Sequence, residues 1–342
     1  MGEQIKQKKP FSKTQCIVTL SVVMLVISLS LTGVFVVFVS KALLYFPWMR
    51  GIVMGSGDPM TKHGLSFQEV EWKAYDTNQT LRGWWIPADS KNDLGNSIIV
   101  VHGSGKDRYE WFEQLNHFHE EGLSTLVFDC RDGMGKSDSL ERGIGYSFRE
   151  HKDVRSAIRY VKSTYPEQSK KLILTGMSMG GGSVIIAAAK DRDLIDGVIS
   201  ESAYASPMKA WKHNIYRYLS DGVAKTFKVV EPVQHLLPTH PPQWLVDLIL
   251  RITLDKIIAS EDNLSQYDTP ENLVAQISPK PILFIAATED PVVPYDQSET
   301  LFRVAKEPKE LWTIESNRHS TAVHISSHEA YRAKLHKFIQ SI

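Results

Sequence analysis

The segment that constrains the fold most strongly is residues 171–190, with the sequence KLILTGMSMGGGSVIIAAAK. Its short apolar run at 172–174 is typical of a strand buried on both faces. After a cluster of glycines, the apolar run at 184–189 is typical of a helix. The segment therefore predicts a strand, a tight turn at Ser178 and a helix, in that order.

The turn has the pattern G-x-S-x-G, formed by Gly176, Ser178 and Gly180. Between a strand and a helix, this pattern indicates a strained turn that exposes the serine Oγ above the sheet. The glycines lack Cβ atoms, so neighbouring backbone can pass close to the serine. The flanking strand and helix favour a nucleophile over a chance match in a glycine-rich turn. We therefore predict that Ser178 is catalytic.

A serine nucleophile needs a base, and the base needs an orienting acid. The apolar run 281–288 predicts a strand, and Asp290 follows its carboxyl end, where α/β sheets place functional residues. The alternative is a loop aspartate that caps the next helix, but Asp296 fits that cap better. We predict that Asp290 is the acid.

The candidate base follows the next predicted strand, residues 311–314. His319 lies in the short loop after this strand, and His324 is a competing candidate nearer the final helix. The order Ser178, Asp290, His319 is one in which such triads occur. We predict that His319 is the base.

A second glycine-rich turn, His102-Gly103, follows the apolar run 97–101. Such a turn can supply a backbone donor to an oxyanion. We predict an oxyanion hole formed by the N–H groups of Ser104 and Met179, the latter at the start of the helix after Ser178.

Residues 129–137 form a third turn, which ends in Gly-Lys-Ser as a phosphate-binding loop does. The first glycine of that motif would fall on Cys130, however, so the glycines here favour a tight structural turn.

Apolar runs alternate with helical patterns from residue 97 onward, which predicts a mostly parallel central sheet flanked by helices. A strand pair near residues 67–86 predicts an antiparallel edge. The alternation stops in residues 203–279, which we predict to be a cap insertion. The apolar face of its helix at 244–258 could roof a pocket, touch a membrane or pack on the core.

The N-terminal residues 1–13 are basic, and residues 14–40 carry no charge. The apolar run 17–39 is long enough to span a bilayer. A cleaved signal peptide is the alternative, since Ser40-Lys41-Ala42 resembles a cleavage site, but its apolar region would be shorter. We predict a single membrane anchor, followed by a linker at 41–66 and the main domain at 67–342.

Lysines before the anchor outnumber the basic residues after it, which predicts a cytoplasmic N-terminus and an extracytoplasmic domain. Lys+Arg and Asp+Glu are equal at 39 each, and this balance argues against nucleic-acid binding. Two cysteines are too few for a disulfide framework or a zinc site.

Together, these motifs resemble the α/β-hydrolase superfamily, in particular hydrolases carried on one N-terminal membrane helix. The resemblance covers residues 67–342 and implies an α/β-hydrolase fold with a variable cap at 203–279. It also implies the nucleophile, acid and base roles given above to Ser178, Asp290 and His319. Asn317 and Arg318 depart from the small residue usual before the histidine.

The predicted function is that of a membrane-anchored serine hydrolase that cleaves small carboxylic esters through an acyl-enzyme on Ser178, without a cofactor. A peptidase or thioesterase of the same fold is the enzymatic alternative. The non-enzymatic alternative is a catalytically silent binding module, but such a module would not need an intact set of Ser, Asp and His.

Overall fold

The computed structural model of the protein describes residues 12–45, 55–226, 241–320 and 328–342. Most of the predicted basic tail, residues 46–54 of the linker and residues 227–240 of the cap lie outside these ranges. So does His324, the competing base.

Eight strands form one sheet in the order β1-β2-β4-β3-β5-β6-β7-β8. The first two strands and β4 pair antiparallel, and all other neighbours pair parallel. This confirms the mostly parallel sheet with an antiparallel edge. The strands are β1 (Gln68–Lys73), β2 (Thr80–Ile86), β3 (Asn96–Val101), β4 (Leu123–Asp129), β5 (Leu172–Met177), β6 (Gly197–Glu201), β7 (Ile282–Ala287) and β8 (Lys309–Ile314).

Helices cover both faces of the sheet, as the α/β-hydrolase fold requires. One buried cluster joins α4, α5 and α9 to one face, and a second joins α3 and α10 to the other. The helices are α1 (Lys13–Tyr45), α2 (Pro59–His63), α3 (Leu115–Glu120), α4 (Glu150–Thr164), α5 (Met179–Lys190), α6 (Pro207–Thr226), α7 (Gln243–Ile258), α8 (Pro270–Leu273), α9 (Tyr295–Val304) and α10 (His328–Gln340).

The connection from β3 to β4 is less helical than its sequence pattern suggests. It begins with a 3-10 segment, Arg108–Gln114, and becomes α-helical only in α3. Arg108 donates to the Asp129 carboxylate from its backbone N–H and its guanidinium, at 2.9 and 2.7 Å. Both side chains are buried, so this pair fixes the start of the segment against the end of β4.

The turn at 129–137 is structural. The N–H of Lys136 donates to Asp129 Oδ2 at 2.7 Å, and Ser137 Oγ donates to the Asp129 carbonyl at 2.6 Å. Gly135 has a φ of 91°, and a Cβ there would collide with the Asp129 carboxylate. The loop therefore closes on its own aspartate, which agrees with the structural interpretation of its glycines.

The N-terminal helix α1 is longer than the predicted span of 17–39, because it continues through Ser40-Lys41-Ala42 to Tyr45. Among the described residues, it is the one helix long and apolar enough to cross a membrane. Most of its side chains are exposed, but Val36, Ser40 and Leu44 are buried against the rest of the protein. Its last turns therefore belong to the packed domain.

Candidate active site

Ser178 lies between the last residue of β5 and the first residue of α5, as the sequence predicts. Its backbone has φ 54° and ψ −115°, a left-handed conformation that is strained for a residue with a Cβ. The turn is possible because a Cβ on Gly176 would collide with the backbone of Gly180, and one on Gly180 would collide with the Val101 carbonyl. These contacts explain both glycines of the pattern.

Asp290 and His319 are joined by a hydrogen bond between their side chains. His319 Nδ1 lies 2.7 Å from Asp290 Oδ2, and the other carboxylate oxygen accepts the N–H groups of Val292 and Val293 at 2.8 and 3.0 Å. The carboxylate is therefore held by three donors. An ionised carboxylate only accepts hydrogen bonds, so His319 carries its proton on Nδ1 and leaves Nε2 able to accept a proton.

The His102-Gly103 turn lies next to Ser178. A Cβ built on Gly103 would stand 3.5 Å from Ser178 Cβ. The His102 ring holds the turn in place: Nε2 accepts the Cys130 N–H at 3.0 Å, and Nδ1 then donates to the Gly103 carbonyl at 2.8 Å. His102 is thus a structural histidine whose two ring nitrogens are both occupied.

The two predicted oxyanion donors come from turns that are distant in sequence. Met179 is the first residue of α5 and so carries one of the N–H groups that a helix leaves unpaired. Ser104 follows Gly103, whose own N–H is taken by Glu110 Oε2 at 2.5 Å. The Gly103 N–H is therefore already engaged, while the roles of Ser104 and Met179 stay predictions.

The structure joins Asp290 to His319 and brings the Gly103 turn to Ser178. Among the contacts of the described residues, no hydrogen bond joins Ser178 Oγ to the His319 ring. The Ser178 backbone is held in position by a hydrogen bond, because its N–H donates to the Glu201 carbonyl at 2.8 Å. In proteins without substrate, catalytic hydrogen bonds are often long and tighten only in the complex.

Two glutamates near the site were not predicted from the sequence. Glu201 ends β6 and is fully buried, and burial raises its pKa to about 8, with the Glu110 and Asp290 charges acting in the same direction. A hydrogen bond with Tyr331 opposes the shift. Burial also raises the pKa of Glu110, against the Gly103 hydrogen bond. Glu201 could have been found by the rule that selected Asp290, because both lie at the carboxyl ends of parallel strands.

The protonated state of Glu201 gives the protein a pH-dependent stability. Above its ordinary pKa of 4.5, the unfolded chain releases this proton while the folded chain keeps it up to about pH 8. Stability should therefore fall as pH rises between these values, by up to about 1.4 kcal/mol per pH unit. Glu201→Gln removes the titration, so its melting temperature relative to the natural chain should increase from pH 5 to pH 8.

The exposed Glu113 provides the control, since Glu113→Gln should give the same difference at both pH values. If the difference in melting temperature between Glu201→Gln and the natural chain were the same at pH 5 and pH 8, Glu201 would not stay protonated in the folded protein.

A profile of the family described as serine aminopeptidase, S33, matches residues 94–324, more than half of the chain. The chain belongs to this family. The matched region contains Ser178, Asp290, His319 and both predicted oxyanion residues, and it leaves α1 outside. The membrane interpretation of α1 therefore has to rest on α1 itself.

Relatives of this S33 hydrolase include YfhR of Escherichia coli K12, 26% identical over 279 residues, covering 81% of each chain. An uncharacterised membrane protein of Saccharomyces cerevisiae is 25% identical over 169 residues, covering 49% of this chain and 56% of its own. An esterase of Pyrococcus furiosus superimposes with a TM-score of 0.62 at 20% identity, covering 85% of this chain and 98% of the esterase. This last likeness shows the shared α/β-hydrolase fold.

Proposed function

We propose that this S33 hydrolase is a membrane-anchored serine esterase. The observation that carries the proposal is the 2.7 Å pair of His319 and Asp290, together with a serine held in a strained turn beside a glycine-rich loop. An oriented imidazole is what a neutral serine needs in order to lose its proton during attack.

In the proposed reaction, Ser178 Oγ attacks the acyl carbon and its proton passes to His319 Nε2. Asp290 stabilises the imidazolium that forms, and the Ser104 and Met179 N–H groups receive the oxyanion. The tetrahedral intermediate then expels the alcohol, which takes the proton from His319. Water repeats the sequence on the acyl-enzyme, with His319 again accepting and returning one proton, and releases the carboxylic acid.

Two features support an ester with an apolar acyl group. The residue after the nucleophile, Met179, is part of a buried apolar cluster that includes Trp211, Ile249 and Val293. One structural neighbour, the Pyrococcus furiosus protein, is an esterase. An apolar surrounding binds an alkyl chain more readily than a charged peptide.

Aminopeptidase activity is the second candidate, because the family description names it. Glu110 supports this alternative because its carboxylate lies near the nucleophile turn. A Cβ built on Gly103 would stand 3.3 Å from Glu110 Oε2 and 3.5 Å from Ser178 Cβ. A carboxylate beside the nucleophile could pair with a substrate amine.

A substrate panel distinguishes the two candidates. The purified full chain in detergent is offered p-nitrophenyl esters of two to twelve carbons, the matching thioesters, and aminoacyl p-nitroanilides. We expect kcat/KM for the best ester to exceed that for the best anilide by about a hundredfold or more. Faster anilide cleavage would replace the esterase proposal with the aminopeptidase one.

The proposed anchor is α1, with the catalytic domain outside the cytoplasm. A cleaved leader would have no reason to pack on the mature domain, whereas Val36, which precedes the possible cleavage site, is buried, and Ser40 Oγ donates to the Ile249 carbonyl at 3.3 Å. The orientation rests on the lysines that precede the helix. Protease added to intact protoplasts should digest the domain, and protection until lysis would reverse the orientation.

A further inference from the structure

The exposed part of α1 has the length of a bilayer core. Its exposed large apolar side chains run from Ile17 to Phe38, and at 1.5 Å per residue this stretch measures about 33 Å. From Val36 onward one side of the helix also contacts the protein, with Val36 and Leu44 buried and Ser40 Oγ donating to the Ile249 carbonyl at 3.3 Å. The membrane surface would therefore lie near Ser40, at the level of α7.

Helix α7 divides into a buried and an exposed apolar face. Val246, Ile249 and Leu250 are buried, so this side is core. Trp244 and Leu248, one turn apart, are 61% and 40% exposed. Leu248 adjoins Ile249, the residue that contacts Ser40, and Trp244 lies about 6 Å from Leu248 along the helix axis. Both side chains thus lie close to the proposed membrane surface.

The polar residues of α7 fit a membrane surface without net charge. The helix exposes two acidic and two basic side chains, which are Asp247, Arg251, Asp255 and Lys256. A balanced set can reach headgroups of both signs and requires no anionic lipid. Contact with the bilayer would then depend on the apolar side chains, with little dependence on salt.

One buried cluster connects this contact region with the nucleophile. Val36 and Leu44 of α1, Ile249 of α7 and Met179 all belong to it. Met179 directly follows Ser178. The anchor, the cap helix and the nucleophile turn therefore share one apolar core, which sets the distance of Ser178 from the membrane.

We propose that Trp244 and Leu248 rest in the bilayer surface beside α1, and that Ser178 takes a long-chain acyl ester from that bilayer. The proposal rests on the proposed anchor and deepens the proposed esterase function by assigning a membrane lipid ester as the substrate class.

Fluorescence quenching tests the contact directly, and the chain offers its own reporter. Cys16 is exposed on α1 and Cys130 is buried, so a thiol-reactive NBD dye labels Cys16 in the natural chain. Trp244→Cys and Leu248→Cys, each combined with Cys16→Ala, place the dye on α7. Leu194→Cys, also combined with Cys16→Ala, is the matched control, because Leu194 is 38% exposed and lies between α5 and β6, at the amino ends of the parallel strands.

Each labelled full-length chain is reconstituted into phosphatidylcholine vesicles that contain a lipid with a nitroxide near its headgroup. We expect quenching at positions 16, 244 and 248 to exceed that at Leu194→Cys by about threefold or more. Quenching at Cys16 alone would show that the exposed face of α7 does not contact the bilayer, and it would overturn the proposal. A lack of quenching at Cys16 would remove the anchor, and the proposal with it.

Activity tests the source of the substrate. Trp244→Ser/Leu248→Ser should lower hydrolysis of methylumbelliferyl oleate held in the same vesicles by about tenfold, because less of the cap helix enters the bilayer. Hydrolysis of soluble methylumbelliferyl butyrate should stay unchanged. Equal loss on both esters with a lower melting temperature, or loss on neither, would overturn the proposal. If the natural chain did not hydrolyse methylumbelliferyl butyrate, the proposed esterase function would be overturned, while the quenching result would still stand.

Discussion

Ser178→Ala should lower kcat/KM for the best ester by about 10³-fold or more, while the protein stays folded. Only Oγ is removed, and the strained backbone at φ 54° is kept by the contacts of the neighbouring glycines. The measurement is steady-state hydrolysis, with the melting temperature recorded in parallel.

Ser200→Ala is the matched control for this variant. Ser200 is also buried, is the second-last residue of the neighbouring strand β6 and donates its hydroxyl to the Gly181 carbonyl at 3.3 Å. Its loss should leave the ester rate within about twofold of the natural chain. Undiminished turnover in Ser178→Ala would show that another residue is the nucleophile.

Asp290→Asn should lower kcat by about 10³ to 10⁴-fold, because the amide no longer fixes the His319 proton on Nδ1. The Val292 and Val293 N–H groups can still donate hydrogen bonds to the amide oxygen, so the loop should keep its shape. Asp296→Asn, at the exposed start of α9, is the control and should keep the natural rate.

The same assay decides between the two histidines. His319→Ala should match the loss in Asp290→Asn, and His324→Ala should retain most of the rate. The opposite pattern, with activity lost only in His324→Ala, would move the base to a residue outside the described ranges and leave the pair of His319 and Asp290 as a structural contact.

The features predicted best from the sequence were local ones. Residues 171–190 specify β5, the turn and α5 through their own apolar pattern and glycines, and the structure follows them to within a residue or two. Asp290 and His319 were selected as candidates because both follow predicted strands, and the carboxyl ends of parallel strands meet at one edge. Their pairing across 29 residues follows from topology.

The features that were missed depend on packing between distant segments. The pKa of Glu201 is set by its complete burial beside Glu110 and Asp290, which no local pattern reveals. The sequence predicted the apolar span but not the end of α1, since an apolar run shows where hydrophobicity stops and not where the helix stops. Which face of α7 is buried depends on the contact with Ser40, 209 residues away.

The central claim is that Ser178 is an activated nucleophile, and covalent labelling tests it most directly. The full chain in detergent is treated with a fluorophosphonate probe, digested, and the modified peptide is mapped by mass spectrometry. We predict one adduct, on Ser178, which is absent from Ser178→Ala and strongly slowed in His319→Ala. Labelling that persists in Ser178→Ala, or an adduct mapped to any other residue, would contradict the account.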